Sequence, residues 1–190
     1  DVESADFRDE IAGILQSLDL SGRVDLIFSA LTIHHLASPI KLLRTCRYLL
    51  DGSGALVVRG SDDGAKVAFP DAEGRVAQII EMTLQQPGVS DRLNGRKLYS
   101  QLRRAGFRQV SMHVEPRDTA GLDCDERHAV FSESFSYRRN YLLSRVEAGD
   151  TSAAEQLRTM DLLLEELELD FEDDDFYYLE LAFGAVARAP

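Results

Sequence analysis

Hydrophobic positions along the chain change period several times, and those changes mark the elements. Val24, Leu26, Ile27 and Phe28 form a near-continuous apolar run that ends in Ser29-Ala30. Such a run predicts a strand covered on both faces, as in a parallel sheet sandwiched by helices. Before it, Phe7, Ile11, Ile14, Leu15 and Leu18 recur at helical spacing, with Ser4 or Asp6 as a cap and Leu20-Ser21-Gly22 as the break. After it, Ser38-Pro39 starts a helix with Leu42, Leu43, Cys46, Leu49 and Leu50 on one face, stopped by Asp51-Gly52-Ser53-Gly54. Ala55 to Arg59 is a second short buried-type strand, so strand, helix and strand follow with the crossover a parallel pair requires.

Further on, residues 73–86 carry Val76, Ile79, Ile80, Thr83 and Leu84 as a helix ended by Pro87-Gly88. Residues 96–105 place Leu98, Tyr99 and Leu102 inward, with Gly106 just past the helix end. Residues 107–115 alternate as a strand. One helix is expected from Asp125 to about Val146, and its Phe131, Phe135, Tyr137, Arg138, Arg139 and Tyr141 suit a core stripe better than a pocket wall. Residues 151–169 align Leu157, Met160, Leu163, Leu164 and Leu167, and the acidic run 165–175 reads as a solvated helix end and loop. Residues 176–189 form a last strand with Tyr177, Leu179, Leu181 and Phe183 on one face.

Composition narrows the function. With 190 residues and 44% hydrophobic content, one domain with a sizeable core is expected. The net charge of −12 argues against nucleic acid and against an anionic membrane surface as partners. Two cysteines without metal-ligand spacing suit a reducing cytoplasm, and no apolar run reaches transmembrane length. No metal site is expected.

In open α/β sheets ligands sit beyond the carboxyl ends of the strands, which points to Ser29 to His35 and to the Arg59 to Gly64 turn. His34 and His35 are the candidate acid–base groups, because histidine titrates near neutral pH. A metal hydrolase using both is weaker, since adjacent side chains on a regular element point different ways.

The stretches D-L-I-F-S-A-L-T-I-H-H-L, L-L-D-G-S-G-A-L-V-V-R-G and R-K-L-Y-S-Q-L-R-R-A-G-F-R-Q-V, followed by a final strand, resemble the C-terminal half of class I S-adenosylmethionine-dependent methyltransferases. The resemblance implies a partial Rossmann-like α/β fold. Its strands would be the fourth, fifth and sixth of the family's sheet, plus an antiparallel seventh closing beside the fifth, with residues 125–169 as a helical insertion and possible lid. It implies S-adenosylmethionine as cofactor and a small molecule or protein as methyl acceptor. Ser29, Ala30 and Leu31 would line the cofactor's methionine and sulfonium region, and Asp1-Val2 would correspond to a pair near its adenine. Asp62, Asp63, Tyr137, Arg138 and Arg139 are the candidate acceptor contacts. The family's glycine-rich loop does not occur in these 190 residues, so the chain is expected to be the substrate side of a longer domain and inactive alone. The alternative is a non-catalytic module that keeps the sheet and works through its acidic helical surface.

Overall fold

The computed structural model describes residues 7–17, 24–86 and 90–188. Its elements in order are α1 (Phe7–Ser17), β1 (Val24–Ala30), α2 (Pro39–Leu49), β2 (Leu50–Phe69), α3 (Arg75–Leu84), α4 (Leu98–Ala105), β3 (Gln109–Asp118), α5 (Cys124–Ser134), α6 (Asn140–Glu147), α7 (Thr151–Glu172) and β4 (Tyr177–Arg188). Short 3-10 turns cover Ile33–His35, Gly95–Lys97 and Ser136–Arg139. The expected caps at Ser4 and Asp6, the break at 20–22 and the site residues Asp1 and Val2 lie outside the described residues, as do Leu18, Pro87 and Gly88.

The four strands are ordered β1-β2-β4-β3. β1 and β2 run parallel, with Ile27 opposite Leu56, Ser29 opposite Val58 and Ala30 opposite Arg59. β4 runs against β2: Gly184 lies beside Val58 and Arg188 reaches back to the Ser53 carbonyl. It also runs against β3, with Gly184 beside His113 and the Thr119 amide bonded to the Tyr178 carbonyl. Three strands therefore share one sense and the last is reversed between β2 and β3.

The described chain divides into two compact units. The first takes residues 1–63, 90–116 and 181–190, and the second takes 64–89 and 117–180. In the first, Leu43, Leu56, Val58, Leu98, Leu102, Phe107, Ala185 and Ala187 are buried together, with Phe7 and Ile27 packed at the margin. Leu56 and Val58 thus turn one sheet face toward α2 and α4. Leu26 and Phe28, of opposite parity on β1, remain 60% and 65% exposed. The two-sided cover expected for β1 is present on one face only among the described residues. In the second unit, Phe131, Phe135, Phe171, Phe176 and Tyr178 form an aromatic core with ring centroids 5.1 to 6.1 Å apart.

Four further expectations are corrected. The second strand is longer than Ala55 to Arg59 and runs through the Gly/Asp stretch after Arg59 without turning. The helix expected over 125–146 is broken into α5, a 3-10 turn and α6. Phe135 leaves the helical region at φ −130° to bury its ring, and the Ser136 hydroxyl bonds back to the Ser132 carbonyl at 2.6 Å, a local competition that ends helices. The acidic run is not simply solvated: α7 continues to Glu172, and Arg75 binds Glu166 at 2.9 Å and Asp170 at 3.0 Å. In β4 the fully buried side chains are Tyr178, Ala185 and Ala187, and Tyr177 is exposed.

Candidate functional site

In the first unit the carboxyl end of β1 lies beside Arg59, midway along β2, since the Leu31 amide bonds to the Arg59 carbonyl at 2.9 Å. Leu31 then adopts a left-handed φ of 51°. A leucine pays a steric penalty there, because its Cβ crowds the following carbonyl, and such outliers concentrate where surrounding structure holds a functional shape. The Thr32 hydroxyl, bonded to the Ala30 carbonyl at 3.0 Å, braces the same turn. Ser29 presents a buried hydroxyl oxygen with no hydrogen-bond partner among the described residues. A buried polar atom without a partner is uncommon enough to need a reason.

The turn Ile33–His35 divides the two histidines. His34 is buried and His35 exposed, with ring centroids 4.1 Å apart and planes tilted by 44°. Burial pushes His34 down to about 4, helped by the neighbouring His35 and Arg92. At neutral pH it is therefore an uncharged ring that accepts a proton poorly. His35 has the freer access to a ligand.

A segment absent from the sequence-based candidates straps this region. The Asp91 amide bonds to the His34 carbonyl at 2.7 Å, and the Asp63 amide bonds to the Arg92 carbonyl at 2.8 Å. The buried Asp62 carboxylate accepts from the Arg96 amide at 2.8 Å and from its guanidinium at 2.7 Å. Lys97 closes on Asp91 at 2.7 Å. Gly95 is required at the crossing, because a Cβ there would stand 2.5 Å from the Phe183 ring and 2.8 Å from Asp62 Cβ. Asp62 and Asp63 are thus buried strand residues that hold residues 91–97. They do not lie on an exposed loop. The Asn94-Gly95 step was the available signal in the sequence, but its partners lie more than thirty residues away.

The aromatic and cationic candidates belong to the second unit. Arg138 is only 2% exposed; its guanidinium lies 5.4 Å from both the Phe135 and Tyr137 rings and donates to the Ser134 carbonyl at 2.9 Å. Arg139 pairs with Asp161 at 2.8 Å and is partly exposed, as is Tyr137. Nearby is a buried set that sequence reasoning passed over. Lys66 Nζ contacts Glu180 Oε2 at 2.5 Å and the Tyr178 hydroxyl at 2.7 Å, and the Ser134 hydroxyl donates to Glu180 at 3.2 Å. Burial, then the Glu180 charge, pushes the Tyr178 phenol well above its ordinary range. Burial would also raise Glu180, yet Lys66, Tyr178 and Ser134 hold it below the usual carboxylate value. Among the described residues no group of three or more His, Cys, Asp or Glu is arranged to hold a metal, and no helix is long and apolar enough to cross a membrane.

A sheet ordered β1-β2-β4-β3, with a reversed last strand beside β2, is the arrangement the resemblance implies: the fourth, fifth, seventh and sixth strands of a Rossmann-like methyltransferase fold. No protein-family profile matches the chain, and no curated protein sequence matches it. Among solved structures, it is similar to a provisionally assigned methyltransferase from Bacillus halodurans C-125, at 13% identity and a TM-score of 0.47 over 88% of this chain and 70% of that one. It is also similar to phosphoethanolamine N-methyltransferase 2 of Haemonchus contortus, in complex with phosphomonomethylethanolamine and S-adenosylhomocysteine, at 15% identity and a TM-score of 0.38 over 87% of this chain. A third similar structure is the [4+2]-cyclase SpnF, at 14% identity and a TM-score of 0.39 over 98% of this chain. The chain spans 34% of the Haemonchus protein and 63% of the cyclase. The sheet order and strand directions define the fold.

Proposed function

We propose that this chain is the acceptor-side part of an S-adenosylmethionine-dependent methyltransferase domain, acting on a small-molecule or protein acceptor. The observation that carries the reading is the β1 carboxyl end: small Ala30, the unpartnered Ser29 hydroxyl and left-handed Leu31 together, where an α/β sheet meets its ligand. These residues fit a cofactor approached closely by backbone.

When bound, S-adenosylmethionine supplies an electrophilic methyl group. The chain's task is then positioning a nucleophile in line and excluding water. Leu31 and the turn after it shape the cofactor side. Exposed His35 can take a proton from an oxygen or nitrogen nucleophile, whereas buried, neutral His34 fixes the turn through its carbonyl. Asp62 and Asp63 act by holding residues 91–97. Tyr137 and Arg139, with partly exposed side chains, are the proposed acceptor contacts, and buried Arg138 packs its guanidinium against the Tyr137 and Phe135 rings.

The test is calorimetric titration of S-adenosylhomocysteine into this chain and into the product of the complete reading frame that contains it. Saturable binding by the complete product, abolished by Ala30→Phe, with weak or no binding by residues 1–190 alone, is the expected result. Tight binding by the 190-residue chain overturns its assignment to the acceptor side. Failure of the complete product to bind favours the non-catalytic module.

A further inference from the structure

Charge is divided unequally between the two units. The first holds 13 basic and 12 acidic residues, whereas the second holds 8 basic and 21 acidic. The whole negative excess therefore belongs to the second unit.

Within that unit α7 is amphipathic on two sides. Its inner side buries Met160, Leu164, Leu167 and Phe171. Its outer side carries Leu162 and Leu169, 61% and 64% exposed, seven residues apart and so aligned along the helix. Glu165 and Glu172 interleave with them at three- and four-residue steps and are exposed; Arg158 lies one turn before Leu162 and Glu155 two turns before it, both exposed. By contrast, the acidic groups on the flank are engaged: Asp161 with Arg139, Glu166 and Asp170 with Arg75, and Glu168 with His128. What α7 leaves uncovered is thus a Leu-Glu-Leu-Glu stripe whose carboxylates have no ion-pair partner among the described residues.

We infer that the outer face of α7 is a docking surface for a basic amphipathic helix of a partner protein. Two leucines at a heptad step fit between the side chains of a facing helix, and the interleaved carboxylates select Lys or Arg on its flanks. Charge also argues against a second copy of the same face, since it would bring together two units that each carry 21 acidic and 8 basic residues. The inference stands apart from the methyltransferase reading, because it uses no residue of the β1 end or of the 91–97 strap.

The test uses the full chain and a fluorescein-labelled synthetic helix with leucines at heptad positions and lysines between them, read by anisotropy. Saturable binding is expected, weakened at least about tenfold by the Leu162→Ala, Leu169→Ala pair and comparably by Glu165→Lys with Glu172→Lys. A peptide of the same composition with its leucines scrambled should bind as poorly as the variants do to the parent peptide. Both leucines are exposed, so these variants should keep the parent circular dichroism spectrum and melting temperature. Equal binding of the scrambled peptide, or binding untouched by the leucine variants, means diffuse attraction to an acidic unit and overturns the inference. Absence of binding overturns it too, as does sedimentation showing a dimer that the leucine variants dissolve.

Discussion

His34 shows how a single position can have its chemistry reversed by its surroundings. An exposed histidine titrates near 6.5 and serves as a base at neutral pH, but burial within the turn after β1 brings this one to about 4. The sign of its effect on stability follows. Above about pH 6.5 neither the folded nor the unfolded form holds the proton; between 6.5 and 4 only the unfolded chain does, so stability is lost as the pH falls through that window. From pH 7 to pH 5 the loss from this residue is about 1–2 kcal/mol. Urea unfolding of His34→Gln should accordingly fall less between those pH values than that of the parent, and equal losses would remove His34 from the account. Leu31, two residues before the His34 peptide's neighbour Ile33, carries the other local anomaly, a left-handed backbone on a non-glycine residue.

At the scale of elements, the C-terminal end of α7 and the start of β4 depend on a side chain from another helix. Arg127 of α5 is buried and donates to the carbonyls of Phe171 at 2.8 Å, Phe176 at 2.7 Å, Thr119 at 3.3 Å and Asp173. Helix ends leave carbonyls without partners, and here one guanidinium satisfies a helix end and the connection that follows. Arg127→Met keeps much of the stem but strands several buried acceptors, each costing about 1–3 kcal/mol. A loss of about 3 kcal/mol or more is expected in denaturant unfolding of the second unit, with α7's last turn losing hydrogen-exchange protection first. A loss under about 1 kcal/mol would mean that water replaces the guanidinium freely. The strap at 91–97 is the corresponding device of the first unit, and there Gly95 and Asp62 set how closely backbone can approach β2.

For the whole molecule, the uneven charge has a physical consequence independent of any partner. A second unit with 21 acidic against 8 basic residues is destabilised by its own repulsion. Exposed like charges are screened by salt within a Debye length of about 10 Å at 0.1 M. Raising sodium chloride from about 0.02 M to about 0.5 M should therefore raise the temperature at which the second unit unfolds, followed through the near-ultraviolet signal of its tyrosines. A midpoint that falls with salt would show that ion pairs such as Arg75 with Glu166 and Asp170 outweigh the repulsion.

Periodicity and punctuation specified much of the local structure. α2 with Pro39 in its first turn, α4 with Gly106 past its end, α7, and the strands at Val24, Gln109 and Tyr177 all follow from spacing that reports which face of an element can be buried. The β-helix-β order around β1 and β2 followed as well, because a parallel pair needs a crossover. What only tertiary structure decided depends on partners distant in the chain. Asp62 and Asp63 read as a turn because Asp and Gly usually make one, yet pairing with 91–97 draws them into a buried strand. Phe135 breaks a helix that its spacing supports, because Phe171 and Tyr178 form a place for its ring. His34 and His35 are identical in sequence terms, and only packing buries one and exposes the other. Local preferences are worth fractions of a kcal/mol per residue, whereas burying or pairing a side chain is worth about 1–3 kcal/mol, so where the two conflict the distant contact prevails.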